Sequence, residues 1–421
     1  MKKLILAVLC LFLAGCGTFD VSVQVFPPAT PTGLPAIAAT AEPLSTASPA
    51  PLMPELTATP TLFSEPTLTH LGLPVGQALT LSAIYMSDAN HGWGVETYGH
   101  IVKTNDGGNT WQDVTPGEGT FDSHGVAAFN QETLWAAPAQ LDMSNMVWRT
   151  RDGGKTWVAS QSIPLGQGRY VPLSLQFPDA KHGWLLLLVV GGAQGDHVVL
   201  YRSEDGGENW VPVSNLEEGQ AQYYLPATTS TMAFFDGQTG WLGGWWGKDD
   251  PGQWMMLRTD DGGVKWGTDS LRLPAQRTVK CSGRPLAEMA PGSMAVDVTC
   301  LKGNDPKYKY HHIYYLSVNS GPAWHSWSLA GEFLSAYFLN TNQGWMMNNS
   351  ADPLKNEVWY THDGGKTWDK VSDVNWKQAQ FNFVSDRIGW AVISNGYATA
   401  LVRTENGGRV WIYVRPYVVE P

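Results

Sequence analysis

The sequence predicts an all-β protein: a single seven-bladed β-propeller of four-stranded antiparallel blades, preceded by a disordered Pro/Thr-rich tether. Three observations carry that expectation. An acidic residue (Asn in the last copy), two glycines and a tryptophan recur six times at fixed spacing, as in "KTNDGGNTW", "TRDGGKTW" and "THDGGKTW". A Gly-Trp dipeptide precedes most copies, in "HGWGV", "HGWLL", "TGWLG", "QGWMM" and "IGWAV". The composition, with 45 Gly and 20 Trp but only 15% charged residues, suits many turns and large buried surfaces.

The chain opens "MKKLILAVLCLFLAGC". Lys2 and Lys3 form a charged n-region and Leu4 to Leu13 an apolar run too short to span a bilayer stably. Residues 1–15 are therefore read as a secretory signal. "LAGC" resembles the lipobox of bacterial lipoproteins, which implies cleavage before Cys16 and lipidation of that residue; the alternative is an ordinary signal with a chance cysteine. Cleavage removes two lysines and moves the formal charge from −11 to −13. An acidic surface argues against nucleic acid and anionic headgroups, so membrane attachment falls to the lipid. The expected location is extracytoplasmic, on the bacterial membrane.

Residues 16–70 are rich in Pro, Thr, Ala and Ser, and no Lys or Arg occurs between Lys3 and Lys103. Such a stretch buries too little apolar surface to offset ordering, so it is expected to be a disordered, extended tether. Cys10 leaves with the signal and Cys16 is the anchor, which leaves Cys281 and Cys300. In an extracytoplasmic chain these read as one disulfide closing a loop of about 20 residues, worth about 3 kcal/mol. A two-cysteine metal site would lack partners at ligand spacing. No cofactor or metal is expected.

The propeller is expected over 79–421. The acidic position falls at Asp106, Asp152, Asp205, Asp261, Asp363 and Asn406, with gaps of 46, 53, 56, 102 and 43 residues. The gap of 102 is a double step, and "SVNSGPAW" supplies a worn copy with Asn319 and Trp324. The matching tryptophans are Trp111, Trp157, Trp210, Trp266, Trp368 and Trp411. Each unit reads as strand, turn, strand with Gly-Trp, loop, strand, Asp-Gly-Gly turn and a short strand holding the tryptophan. Repeat two keeps only Trp135 of the Gly-Trp signal, and repeat five has "MAVDV" in its place.

These residues resemble the Asp box, or bacterial neuraminidase repeat, Ser/Thr-x-Asp-x-Gly-x-x-Trp. The resemblance covers about 79–415 and implies a turn joining the third and fourth strands, on the side opposite the ligand face. Physical chemistry gives the same structural role. A short Asp accepts N–H bonds within its own turn, glycines allow positive φ, and the tryptophan buries a large apolar surface. Asn406 keeps the acceptor and loses the charge, as a turn allows and acid–base chemistry does not. One or two carboxylates per copy are too few for calcium.

Sialidases carry Asp boxes but need an arginine cluster, a general acid, a tyrosine nucleophile and an early Arg-Ile-Pro. Here the only Arg-Ile is Arg387-Ile388, followed by Gly389, and no Arg precedes Arg149. Xyloglucanase-type glycosidases pair two propellers around a cleft, and this chain has room for one. The composite "D-x-x-H-G-W-G-V…G-H-I-V-K-T-N-D-G-G-N-T-W" is similar to the repeat of the photosystem II stability and assembly factor family. That resemblance implies a non-catalytic propeller holding a protein partner; a glycoside hydrolase is the alternative.

A ligand face is expected where the repeats differ. "GGWWGKDDPGQW" contributes Trp245, Trp246 and Trp254. The segment 272–309 has seven basic against three acidic residues, among them Arg272, Arg277, Lys280 and Arg284. Aromatic and arginine side chains are typical anchors for a protein, and tryptophans also suit sugar rings. The competing reading is a surface insertion that packs its own tryptophans. The expectation is a monomer that binds a protein or glycan.

Overall fold

The computed structural model describes residues 72–420, except 118, 142–145, 192–195, 214–224, 227–230, 247–252, 269–278, 291–292, 303–308, 318–323, 330–332, 351 and 353. The chain divides into two units, Met1–Glu65 and Pro66–Pro421, and every described residue belongs to the second. The expected signal, Cys16 and tether lie outside the described residues. Among the described residues there is no helix long and apolar enough to cross a membrane.

Among the described residues the strands form seven antiparallel sheets, each built from strands consecutive in the chain. Sheet 1 is Leu81–Met86, Gly92–Glu96, Ile101–Thr104 and Thr110–Asp113. Sheet 2 starts with Phe121–Ala128, sheet 3 with Arg169–Gln176 and sheet 4 with Thr231–Phe234. Sheet 5 starts with Val279–Ala290, sheet 6 with Phe333–Phe338 and sheet 7 with Gln378–Phe383. Two sheets depart from four strands. Leu225–Pro226 pairs with the third strand of sheet 3, and Tyr417–Val419 adds to the fourth strand of sheet 1 as a parallel fifth. The box tryptophan also differs from expectation. In sheets 2, 3, 4, 6 and 7 the fourth strand begins one residue after it, because the ladder starts only once the chain leaves the turn.

The Gly-Trp signal has a packing cause. Glycine lets the aromatic ring that ends the first strand lie flat against the second strand. A Cβ at Gly183, Gly240 or Gly389 would stand 2.3 Å from the ring of Phe177, Phe234 or Phe383. The tryptophan then faces the next sheet. Trp135 stacks on Phe177 at 3.8 Å, Trp184 on Phe234 at 3.9 Å and Trp345 on Phe383 at 3.5 Å. Its indole N–H donates to the first glycine carbonyl of the next sheet's box: Trp135 to Gly206, Trp184 to Gly262 and Trp345 to Gly407. Trp390 of sheet 7 makes the same bond to Gly107 of sheet 1, at 2.9 Å. Trp93 differs and donates to the Asn130 carbonyl in the first turn of sheet 2.

The core therefore lies between sheets. Trp390, Val392 and Leu401 of sheet 7 share one buried cluster with Leu81, Ile84, Val102 and Trp111 of sheet 1. The two chain ends also meet there. Gly76 N–H donates to the Val418 carbonyl, Val418 N–H to the Gln77 carbonyl, and Leu79 N–H to the Pro416 carbonyl.

Candidate functional site

The Asp-box turns sit between third and fourth strands at one end of the sheets. In sheet 1, Asp106 Oδ1 accepts from Thr104 Oγ1 and from the N–H groups of Asn109 and Thr110, and Oδ2 accepts from Thr110 Oγ1. Asp152 and Asp363 bind their turns in the same way through Thr150, Thr156, Thr361 and Thr367. Asp205 and Asp261 follow with Ser203 and Thr259. Asn406 Oδ1 accepts from Thr404 Oγ1 and Val410 N–H. Both glycines of each described copy have positive φ, such as 76° at Gly107 and 93° at Gly108.

These carboxylates are acids held ionised. At Asp106, burial would raise the pKa, but hydrogen bonds from Thr110, Thr104 and Asn109 outweigh it and hold the carboxyl below its ordinary value. Asp152 is lowered to about 2, chiefly by the Thr156 hydroxyl. Asp363 is also lowered to about 2, with burial opposing and Thr367 and Thr361 prevailing. A general acid needs a raised pKa and a free proton to give. These groups have neither.

The box tryptophans fasten neighbouring strands. Trp111 and Trp210 are buried, while Trp157, Trp266, Trp368 and Trp411 are half-buried. Trp111 and Trp368 donate to their own box glycine carbonyls, and Trp157 reaches back to the Val114 carbonyl behind sheet 1. In sheet 5 the third strand ends at Ser317 and the fourth begins at Trp324. Asn319 falls in the connection between them, outside the described residues.

One recurring feature was missed from sequence. A cation three residues before the Asp or Asn of the box covers the Gly-Trp indole of its own sheet. Lys103 lies over Trp93, Arg202 over Trp184, Arg258 over Trp241 and Arg403 over Trp390, all at 5.3–5.8 Å. Tyr360 fills that place beside Trp345 in sheet 6. The signal was present as Lys or Arg before Ser/Thr in these copies, but its target lies on the neighbouring strand.

The opposite end of the sheets carries the second-to-third-strand hairpins. There Trp245 pairs directly with Trp254, and Trp246 with Gln253, across the last ladder positions of sheet 4. In sheet 5, Lys280 pairs with Leu301, Cys281 with Cys300 and Arg284 with Asp297. The Val279–Lys302 end of that ladder is the end away from Ser317 and the box position. Trp245, Trp254, Lys280 and the two cysteines thus share the hairpin end of adjacent sheets. Arg284 lies further along its strand, and Arg272 and Arg277 fall outside the described residues.

Other hairpin-end features carried no sequence signal. Asp122 and His124 form a 2.7 Å pair where four residues of the first strand of sheet 2 bulge opposite one. The Asp122 hydrogen bond raises the His124 pKa against the opposing effect of burial. Two open grooves flank sheet 7. One of about 360 Å³ includes Lys355, Asp373, Arg409, Trp411 and Tyr413, and one of about 520 Å³ includes Leu79, Leu401 and Tyr417.

Comparison with known proteins fits this geometry. The BNR/Asp-box repeat family model matches residues 359–370, the turn containing Asp363 and Trp368. No curated protein sequence matches the chain. Among solved structures it is similar to YCF48 bound to D1 peptide, at 17% identity and TM-score 0.50, over 79% of this chain and 95% of that one. It is also similar to the GH74 xyloglucanase from Xanthomonas campestris, at 12% identity and TM-score 0.52, over 82% of this chain and 55% of that one. An oligogalacturonate lyase in complex with manganese matches at 11% identity and TM-score 0.50, over 79% of this chain and 98% of that one. At these identities the likeness is one of fold. The chain carries a BNR/Asp-box repeat at residues 359–370 and has an all-β fold similar to that of these propeller structures.

Proposed function

We propose that this chain is a closed seven-bladed propeller, lipid-anchored outside the cytoplasmic membrane through Cys16, that binds a protein or glycan without catalysis. Ring closure is supported by the Trp390 bond to Gly107, which repeats between sheets 7 and 1 the bond made between interior neighbours. The observation that carries the non-catalytic reading is the engagement of each described Asp-box carboxylate within its own turn. The most repeated acidic group in the chain is thereby a strut.

Binding is assigned to the hairpin end, where Trp245 and Trp254 are register partners and Lys280 lies on the adjacent sheet. Tryptophans and a lysine at the same end of adjacent sheets are residue types suited to apolar anchoring with a polar rim. The solved YCF48 structure that holds a D1 peptide supports a peptide segment as the bound element. The propeller acts as a monomer, needs no cofactor, and its acidic surface disfavours nucleic acid.

The full chain carrying Cys16→Ser tests this by peptide pull-down and glycan-array binding. Binding lost on reversing the charges of Arg272, Arg277, Lys280 and Arg284 supports the site. Unchanged binding removes that assignment. Turnover of a fluorogenic glycoside, abolished by one carboxylate substitution, would overturn the non-catalytic reading.

A further inference from the structure

We infer that the hairpin end of sheets 6, 7 and 1 rests on a phospholipid bilayer, with Leu354, Tyr397 and Tyr98 entering its interfacial layer. The inference builds on the reading of Cys16 as a lipid anchor. Its first support is exposure. Leu354, Tyr397 and Tyr98 are 82%, 94% and 78% exposed, the three highest values among the described large hydrophobic residues. Each sits at the tip of a second-to-third-strand hairpin, and their three sheets follow one another. The Trp345–Gly407 and Trp390–Gly107 bonds align the box ends of these sheets, so their hairpin tips face the same way. Exposed apolar side chains gathered on one face mark a contact surface.

Second, the tips are fixed rather than merely uncovered. The N–H of each residue donates to a side-chain acceptor two positions earlier: Tyr98 to Glu96 at 2.7 Å, Leu354 to Asp352 at 3.0 Å and Tyr397 to Asn395 at 2.9 Å. Tips fixed in advance lose little conformational freedom on contact.

Third, the described chain enters the fold on this face. Leu73 N–H donates to Asp113 Oδ2 at 2.8 Å, and His100, in the same hairpin as Tyr98, contacts that oxygen at 2.9 Å. Gly72 follows Cys16 by 56 residues. A lipid at Cys16 would make encounter of this face with the bilayer intramolecular, so a weak interfacial affinity suffices.

The side-chain chemistry fits lipid. Tyrosine places its ring among headgroups with its hydroxyl wet. Lys377 lies 5.6 Å from the Tyr397 ring and Lys355 follows Leu354, where long stems can carry ammonium groups to phosphate. Lys355 also lies 3.8 Å from Asp352, and the chain as a whole is acidic, so a zwitterionic surface suits it better than an anionic one.

The test uses the lipidated full chain on phosphatidylcholine–phosphatidylethanolamine vesicles, with the Cys16→Ser chain in solution as reference. Flotation reads the anchor. Tyrosine nitration, mapped by peptide mass spectrometry, reads the face. On vesicles, Tyr98 and Tyr397 should be nitrated several-fold less than in solution, while Tyr413, on the outer strand of sheet 7, should be unchanged. A chain that floats but leaves Tyr98 and Tyr397 fully reactive overturns the bilayer face and leaves the anchor standing. A chain that does not float overturns both. Protection on native membranes but not on pure lipid identifies a protein partner and overturns the bilayer.

Discussion

Asp363 and Asn406 occupy the same place in successive turns, and each Oδ1 takes a threonine hydroxyl and a backbone N–H. The turn therefore needs an acceptor, and the charge is secondary. Asp363→Ala should destabilise the fold by about 1–2 kcal/mol in denaturant titration, since it leaves turn donors without their acceptor. Asp363→Asn should cost well under half as much. Equal losses from the two substitutions would show that the carboxylate charge matters. The charge still leaves a pH signature. The folded pKa of Asp363 is depressed, so its contribution is present above the ordinary value of 3.8 and is lost as pH falls toward about 2. Thermal midpoints followed through that window should fall less steeply in Asp363→Asn than in the wild type. The cysteines make a separate prediction. Direct antiparallel partners have Cα atoms about 4.5–5.5 Å apart, within disulfide range, so Cys281 opposite Cys300 is poised to bridge. Intact mass without reductant should be lower by two hydrogens than after reduction; free thiols at Cys281 and Cys300 in the unreduced protein would refute the bridge.

The strand pair is the unit that Gly-Trp serves. Gly389→Ala would push a Cβ to 2.3 Å from the Phe383 ring, which is itself stacked on Trp345 of the preceding sheet. Overpacking of that kind costs about 1–3 kcal/mol, and Phe383→Leu should recover part of it in the double variant. Additive losses would mean that the two positions do not meet. This pairing also shows what the sequence could and could not carry. "IGWAV" announced a strand, because a glycine and tryptophan before an apolar run repeat in register. It did not announce that the glycine answers to Phe383 or the tryptophan to Gly107, since both partners lie across a strand or a sheet. The cations over the indoles were hidden for the same reason. Tyr98 and Tyr397 were hidden differently: a lone aromatic in a turn has no period, and only its exposure sets it apart.

At the scale of the whole molecule, the question is how the last sheet holds the first. Sequence led to an expectation of seven repeats, because six matching turns set the spacing, but it gave no sign of the terminal strand. Tyr417–Val419 is three residues long, carries no motif, and pairs in parallel with Thr110–Gln112 about 300 residues away. Three contacts join sheet 7 to sheet 1. Trp390 bonds to Gly107, Met86 N–H donates to Asn382 Oδ1 at 2.7 Å, and Val418 is buried in the cluster shared by sheets 1 and 7. The added strand also clasps the entry segment through Gly76 and Leu79. Deleting residues 416–421 should therefore act on both termini at once. Amide exchange should accelerate at 76–79 and 110–112, the denaturation midpoint should fall, and the slope of the transition should shallow as sheet 1 uncouples from the rest. Trp390→Phe keeps an aromatic ring and removes one donor, so it should lower the stability by about 1–3 kcal/mol, seen as a lower midpoint with the slope intact. If the truncation lowered the midpoint no further than Trp390→Phe and left exchange at 76–79 unchanged, the terminal strand would be an ornament on sheets 1 and 7 held together by packing alone.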